Sequence, residues 1–414
     1  MSRSAAPPLV HPTAHLGGGL LARLAFLGVF LASLLVAMAV LLQFYDRFWW
    51  SPDEGAYAHV AERILQGEVL NGSVQDIHMG YVNFANALAL QVFGLDLLSL
   101  RYPAMAMTLV QCALVFWLLA GRGALVAFAG AVAMSCLSFV QFLNPTAHWY
   151  ALFFCLVIIA FLAAERHERA LGLEMLGFLI VTLFLFRQLS GVLAAMGALT
   201  FLLLQEQRAG GHGRVLLARL LAGIMLTGLA LYLASKTDFF AGLVFGAGPL
   251  ALLLYAGATT RVDDRTILRF GLRMGLGGLL ALLPLLTYHL VNGSLAGWWD
   301  DTVMTALHLT GLPFMELPRY SYFTVLGLAQ VLKGDSLSVV VNGLFWLLMP
   351  LLPAVLGAGL LMALRRGRAV GRAALPIVAC FFAVVSVHYQ VPIYLFFSSA
   401  LTVAALLFLG GDGG

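Results

Sequence analysis

Long apolar runs, separated by short polar breaks, recur along almost the whole chain and constrain its fold more than any other feature. A helix needs roughly 20 apolar residues to cross a bilayer core. Hydrophobic residues make up 62% of the chain and charged residues only 10%, whereas soluble domains carry about 25% charged residues. The pattern therefore predicts an all-α polytopic membrane protein and excludes an ordinary soluble domain.

Twelve apolar segments are predicted to be membrane spans of a single transmembrane domain covering residues 1–414. The first apolar run, at about 20–42, is longer than the roughly 7–15 residues of a signal-peptide core and is expected to be a membrane helix. Only short polar breaks, at 187–188 and 388–390, divide two pairs of spans. The predicted spans are 20–43, 101–120, 124–142, 149–164, 171–186, 189–204, 215–235, 239–257, 270–290, 337–363, 373–388 and 392–410.

The distribution of basic residues predicts the orientation of these spans. With the N-terminus inside, 16 of the 23 lysines and arginines fall in inner segments and 7 in outer segments. The positive-inside rule then favours cytoplasmic N- and C-termini. The long loops 44–100 and 291–336 are expected on the outer face of a multi-pass protein of a bacterial inner membrane.

Net charge and cysteine positions exclude further classes of protein. The formal charge of +4 is too small and too dispersed for a nucleic-acid-binding protein. All four cysteines (Cys112, Cys136, Cys155 and Cys380) lie inside apolar runs. They are expected to be small core residues rather than parts of a disulfide framework or a zinc site.

The first long loop carries signals for two interfacial amphipathic helices. Ser51 is the expected N-cap, Pro52 follows it at the first helical position, and Glu54 completes a capping-box pattern. Apolar residues recur at helical spacing from there to Gly67, which ends the segment. A second such helix is predicted at about 80–93. Both are expected to lie in the membrane interface.

The second long loop contains Trp298 and Trp299, which suit an interfacial anchor. The polar residues singled out in this loop are Asp300, Asp301, His308, Glu316 and Lys333.

The glycine cluster at 275–278, in the span before this loop, has no preceding strand. It is therefore expected to serve helix packing rather than nucleotide binding.

Several segments of the first quarter of the chain occur in a familiar order. Residues 53–57 read DEGAY, residues 64–68 read ILQGE, and residues 93–94 (FG) are followed at 100–103 by LRYP, which opens the next predicted span. This order resembles the GT-C membrane glycosyltransferases. It is most similar to their bacterial, glycosyltransferase family 39-like branch, related to protein O-mannosyltransferases and lipid A aminoarabinose transferases.

The resemblance implies a GT-C fold surrounded by membrane lipids. It implies transfer of a sugar, with inversion, from a polyprenyl-phosphate donor to a lipid, polysaccharide or protein acceptor on the outer face. Asp53 would be the catalytic base, and Asp76 would line the same cavity. No cofactor is implied with certainty, and a divalent metal stays open. The chain departs from the family at 76–81 (DIHMGY), which lacks a proline, and at 146–149 (TAHW), where many relatives carry an acid.

The carboxylates and His78 also have plain structural interpretations. Glu54 is a second catalytic candidate beside Asp53. Acids in the first turn of a helix complement its dipole, however, and this role accounts for Glu54 better than for Asp53. Asp76 fits an N-cap or a solvated loop acid equally well. His78 would be a proton carrier or a metal ligand, but no second ligand lies at a defined spacing, and a surface histidine fits as well.

The candidate residues beyond the first loop are arginines, histidines and their neighbours. Arg187 is predicted at an outer span end, where a guanidinium could bind a polyprenyl phosphate, snorkel to the interface or pair with a loop acid. Arg101 is a similar substrate-binding candidate, but it lies closer to a helix start, so that an ion pair with Asp96 or Asp53 is the favoured role. Gln188 and Tyr389 are further substrate-binding candidates. Four histidines near outer span ends could together frame the cavity, although each alone also fits a hydrogen-bonded interfacial residue: His148, His289, His308 and His388.

The leading hypothesis from the sequence is therefore an integral-membrane glycosyltransferase. The alternatives are a twelve-span transporter or lipid flippase, and a non-catalytic membrane assembly factor. Transporters place charges near the midplane of broken helices and often have related halves, and the sequence shows neither pattern. Replacing the Asp53 carboxylate separates an enzyme from the other two.

Overall fold

A computed structural model of the chain describes residues 19–205, 213–309, 319–366 and 373–411. These residues form helices and connecting turns, without a β-strand. Eight helical segments in this part of the chain are long and apolar enough to cross a membrane. For these residues, the prediction of an all-α protein with several helices suited to cross a membrane is confirmed.

Nineteen α-helices follow one another in the described residues. Those of the first half are α1 (Leu20–Phe44), α2 (Ser51–Leu65), α3 (Tyr81–Phe93), α4 (Leu97–Leu119), α5 (Ala124–Cys136), α6 (Ala147–Ala163), α7 (Gly172–Phe186), α8 (Gln188–Leu204) and α9 (Leu216–Lys236). Those of the second half are α10 (Phe239–Ala241), α11 (Ala247–Thr259), α12 (Asp264–Val291), α13 (Leu295–Trp299), α14 (Ala306–Leu309), α15 (Tyr320–Lys333), α16 (Leu337–Leu348), α17 (Leu352–Arg365), α18 (Ala374–Phe382) and α19 (Pro392–Gly410).

Of the twelve predicted spans, eight are confirmed as helical segments of sufficient length. These contain α1, α4, α5, α9, α10 with α11, α12, α16 with α17, and α19. The other four predicted spans are helices of 10–17 residues, formed by α6, α7, α8 and α18 with its 3₁₀ extension. They are shorter than the roughly 20 residues that a perpendicular crossing requires.

Several predicted span boundaries are wrong by a few residues. The span predicted from residue 101 begins at Leu97, because Asp96 caps α4 by accepting a hydrogen bond from the backbone N–H of Leu98 at 2.7 Å. Pro103 therefore lies inside α4 rather than at its start. The span predicted at 270–290 already begins at Asp264, where Asp263 is the cap.

Close helix contacts explain the glycine cluster near residue 275. A Cβ atom on Gly277 would overlap the carbonyl oxygen of Glu174, and one on Gly177 would overlap that of Met274. The absence of a side chain lets the backbones of α7 and α12 approach closely. The predicted packing role is confirmed for Gly277. At Gly275, by contrast, an added Cβ atom would meet nothing within 4 Å, so this glycine serves no such contact.

The two amphipathic helices of the first long loop are confirmed as α2 and α3. Helix α2 begins one residue earlier than predicted, so Trp50 rather than Ser51 is the cap residue. Positive φ angles of 91° at Gly67 and 103° at Gly94 mark the ends of the two segments. Leu65, the last residue of α2, is exposed.

The described parts of the second predicted loop, 291–309 and 319–336, are largely helical. They hold α13, a π-helical turn at Asp300–Thr305, α14 and α15, while Glu316 lies outside the described residues. The two tryptophans differ in their environments. Trp299 is exposed, whereas Trp298 donates a hydrogen bond to the carbonyl oxygen of Met79 at 3.0 Å. Trp298 thus joins the two predicted outer loops, a role that the anchor interpretation did not include.

Candidate functional site

A cavity of about 730 Å³ lies where α2 meets the ends of α6, α7, α8 and α19. Eight of the ten site residues predicted from the sequence line it: Asp53, Asp76, His78, His148, Arg187, Gln188, His388 and Tyr389. They come from separate parts of the chain. The cavity therefore exists only in the folded protein, and its size is within the range of small-molecule sites.

Asp53 belongs to the first turn of α2 and lines the cavity. Its Oδ2 accepts a hydrogen bond from the side-chain amide of Asn144 at 3.0 Å. Burial raises the pKa of the Asp53 carboxyl, and this effect outweighs the Asn144 hydrogen bond and the charge of His78, which both lower it. A carboxylate with a raised pKa is a stronger base than a free aspartate.

A second acid, Asp76, forms a hydrogen-bonded chain with His78 and Tyr57. Oδ1 of Asp76 accepts from the backbone N–H of His78 at 2.6 Å and lies 2.7 Å from Nδ1 of its ring. On the other side of the ring, Nε2 lies 3.3 Å from the Tyr57 hydroxyl. Burial alone would raise the pKa of Asp76, but the charge and hydrogen bonds of His78 hold it below its usual value.

Arg187 lies at the break between α7 and α8. Its backbone is extended, with φ −155° and ψ 111°, which ends α7 at the cavity wall. The guanidinium carbon is 5.7 Å from the centre of the Tyr394 ring. Its Nε is buried and has no hydrogen-bond partner among the described residues. The neighbouring Gln188 donates from its amide to the carbonyl oxygen of Thr302 at 3.3 Å.

Aromatic rings form one part of the cavity wall. The His148 ring is stacked on Phe397, with centroids 3.6 Å apart and planes inclined by 16°. Tyr394 meets both rings edge-on, at 4.9 Å and 5.3 Å. Nδ1 of His148 is buried without a partner in the described part of the chain. The wall is thus largely apolar but presents one unpaired ring nitrogen.

His388 and Tyr389 complete this wall from the break between the 3₁₀ turn after α18 and α19. The His388 ring lies 4.3 Å from the Tyr389 ring, and its Nδ1 is 3.4 Å from the Tyr232 hydroxyl. The two other histidines predicted near outer span ends do not line the cavity. His289 is buried and hydrogen-bonded to Ser294 at 2.8 Å, and His308 is exposed.

Glu54 and Arg101, the remaining two candidates, lie outside the cavity and bind each other. Both side chains are almost fully buried, and the guanidinium donates from Nε and Nη2 to Oε1 of Glu54 at 2.9 Å and 2.7 Å. The predicted partners of Arg101, Asp96 and Asp53, are wrong. Asp96 instead caps α4, and the only acid that reaches the buried guanidinium among the described residues is Glu54.

The Glu54–Arg101 pair also holds the start of α2. The Nη1 group of Arg101 donates to the carbonyl oxygens of Tyr45 and Arg47 at 2.7 Å and 2.8 Å, and Glu54 accepts from the backbone N–H of Trp50 at 2.9 Å. These contacts fix the connection between α1 and α2. Because Asp53 precedes Glu54 directly, they also set the position of Asp53 at the cavity wall.

Contacts between the two predicted outer loops hold the segment that carries Asp76. Asn71 has a left-handed backbone, with φ 55°, and its side-chain amide donates to the carbonyl oxygen of Asp76 and to Oδ2 of Asp301, both at 2.8 Å. A Cβ atom on Gly297 would overlap the Asn71 carbonyl oxygen. The Asn-Gly dipeptide predicts a turn at Asn71, but not its link to the second loop.

Sequence reasoning missed four residues that shape the cavity: Tyr57, Asn144, Thr302 and Tyr394. Tyr57 stands four residues after Asp53, so helical spacing already placed both on one face. Asn144 precedes a proline in the polar break before α6, which is a signal for a turn but not for a partner of Asp53. No local pattern points to Thr302 or Tyr394.

The donors in the cavity do not assemble a metal site in the described residues. No group of three or more histidine, cysteine, aspartate or glutamate side chains lies close enough to hold an ion. The His78 ring, considered as a ligand from the sequence, uses both nitrogens for Asp76 and Tyr57. The polar groups that the cavity offers to a ligand are carboxylates, histidine rings and the guanidinium of Arg187.

The fold and the cavity define a helical membrane protein with a polar, aromatic-lined site at one end of its bundle. No protein-family model matches the chain, and comparisons with curated proteins and with solved structures gave no match. The function therefore has to be argued from the site itself.

Proposed function

We propose that the protein is an integral-membrane glycosyltransferase that uses a polyprenyl-phosphate-linked sugar as its donor, in keeping with the resemblance of its first quarter to GT-C enzymes. The main support is that one cavity presents both a carboxylate, Asp53, and the partly unpaired guanidinium of Arg187. Buried polar groups are nearly always hydrogen-bonded. The free Nε of Arg187 and Nδ1 of His148 thus suit a polar ligand.

In this proposal Asp53 removes the proton of the acceptor hydroxyl while the acceptor oxygen attacks the anomeric carbon. The bond between that carbon and the phosphate oxygen breaks, and polyprenyl phosphate leaves with the bonding electrons. Arg187 stabilises the phosphate through charge-assisted hydrogen bonds. The raised pKa of Asp53 favours proton uptake. The aromatic wall would contact the apolar face of the sugar and the first isoprene units.

Replacing Asp53 with asparagine tests the role of this carboxylate. The variant keeps the size of the side chain and can still pair with Asn144, but it cannot accept a proton. Loss of a general base typically costs about 10²- to 10⁴-fold in rate. A deletion strain complemented with Asp53→Asn should lose the glycan or glycolipid that the wild-type gene restores, as measured by mass spectrometry of envelope fractions.

Asp46→Asn is the matched control, because Asp46 is an exposed acid near the same loop whose carboxylate approaches only Arg47 among the described residues, at 3.8 Å. It should leave the profile unchanged. Identical profiles for Asp53→Asn and wild type would refute the catalytic role. A deletion that changes only the membrane sidedness of a lipid-linked sugar would favour a flippase instead.

A further inference from the structure

The three side chains Asp76, His78 and Tyr57 have a defined direction of hydrogen bonding. Asp76 accepts from the backbone N–H of His78 and contacts the ring Nδ1 through the same oxygen, Oδ1. The pKa of Asp76 is held low by His78, so the acid is ionised and can only accept. Nδ1 of His78 therefore carries a proton, and only Nε2, which faces Tyr57, can gain or lose one.

The charge of His78 consequently decides what the Tyr57 hydroxyl offers to the cavity. When His78 is neutral, its Nε2 is an acceptor, so the phenol donates to it and turns its oxygen lone pairs towards the cavity. When His78 is protonated, Nε2 becomes a donor to the phenol oxygen. The Tyr57 proton is then free to be donated to a ligand.

Tyr57 is well placed to contact such a ligand. It lines the cavity one helical turn after Asp53 on α2. Burial raises the pKa of its hydroxyl, and the charges of Asp76 and Asp53 raise it further, while Arg187 opposes them. The phenol therefore stays protonated and lies within the electrostatic reach of both the proposed base and the proposed phosphate-binding residue.

Other charged and titratable groups also face His78. Besides Asp76 on its own segment, Tyr57 and Asp53 approach it from α2, and His148 interacts with it from α6. Arg187 acts on Tyr57 and on His148. A test of the Tyr57 hydroxyl therefore has to distinguish the effect of His78 on ligand binding from the effect of His148.

We propose that Tyr57 is a ligand-binding residue for the phosphate of the lipid donor, and that His78, held by Asp76, is a positioning residue that switches the Tyr57 hydroxyl between donor and acceptor. This inference rests on the proposed function. Protonated His78 directs the phenol proton towards the phosphate, and neutral His78 withdraws it. Phosphate affinity therefore falls when His78 loses its proton.

Binding of farnesyl phosphate to the purified full-length protein in detergent tests this without requiring sugar transfer. Between about pH 5 and about pH 8, wild type should lose affinity by about tenfold, the effect of one charge-assisted hydrogen bond. Tyr57→Phe should bind weakly at every pH. The change of its affinity with pH should be reduced to the part that ionisation of the ligand's own phosphate causes. His78→Gln has no titratable ring at this position. Its affinity should show the same reduced dependence on pH, whatever its absolute value.

His59→Gln is the matched control, since His59 is exposed on α2 and outside the cavity, and its profile should match wild type. If both Tyr57→Phe and His78→Gln keep the pH dependence of affinity that wild type shows, the switch is overturned. That pH dependence then belongs to another group, such as His148. Farnesol and inorganic phosphate separate the sources of affinity: binding of either one as tight as farnesyl phosphate would refute a lipid-phosphate site. Absence of farnesyl phosphate binding at every pH would overturn the proposed donor and this inference with it.

Discussion

The buried Arg101–Glu54 pair yields the sharpest prediction about stability. Arg101→Met removes the guanidinium but keeps an unbranched apolar side chain. It leaves the Glu54 side chain, only 1% exposed, without its ion-pair partner, and it leaves the carbonyl groups of Tyr45 and Arg47 without their donor. It also removes the cation–π contact with Trp49, whose ring centre lies 3.7 Å from the guanidinium carbon.

Breaking a buried ion pair by removing one partner typically costs about 3–5 kcal/mol. We expect a loss of this size in the apparent free energy of unfolding, measured by SDS titration in mixed micelles with tryptophan fluorescence. Arg101→Lys should recover only part of it, because an ammonium group cannot reproduce the forked contacts with Glu54 and two carbonyl oxygens. The double variant with Glu54→Leu should be more stable than Arg101→Met alone, since no buried charge remains unpaired.

The pair Arg63–Glu68, in the same loop between α1 and α4, supplies the matched control. Its Nε–Oε1 distance is 2.7 Å, similar to that of the buried pair, but about a third of each side chain is exposed. Solvent-exposed ion pairs contribute little, so Arg63→Gln should leave the unfolding curve almost unchanged. Equal losses in Arg101→Met and Arg63→Gln would refute the argument that burial makes the first pair important.

Two further predictions concern Asn144 and the contact between α7 and α12. Asn144→Ala removes a hydrogen bond that lowers the pKa of Asp53, so the acidic limb of the pH–rate profile should move to higher pH; an unchanged limb would mean that Asp53 is not the base. Gly277→Ala should destabilise the protein by about 1–3 kcal/mol or more in the same SDS titration, because its Cβ would clash with the Glu174 carbonyl oxygen. Gly275→Ala, whose Cβ would meet nothing within 4 Å, is the control, and equal effects of the two substitutions would contradict this packing.

Local sequence patterns are sufficient to find most helices and their ends. Hydropathy locates the apolar segments, and the breaks at Arg187 and at 388–390 separate α7 from α8 and α18 from α19. Gly67 and Gly94 end the two amphipathic segments because glycine adopts positive φ without strain. Hydropathy alone does not show that four segments are short, since it reports composition and not where hydrogen bonding stops.

The candidate cavity residues can be recognised one by one, through their chemistry and their position in the sequence. Charged groups and histidines near span ends are unusual in a chain this apolar, so Arg187, His148 and His388 stand out from their apolar neighbours. Their common cavity does not follow from these signals, because the residues lie far apart along the chain. The pairwise contacts depend on how the helices pack.

An all-α chain with several membrane-spanning helices, and with two amphipathic helices after the first, follows from the sequence alone, because hydropathy and helix-end signals act over a few turns. Which carboxylate faces the cavity depends on the tertiary structure. Asp53 and Glu54 are neighbours with nearly the same chemistry, but a helix turns by about 100° per residue. That rotation directs Asp53 towards Asn144 and the cavity, and Glu54 into the buried contact with Arg101.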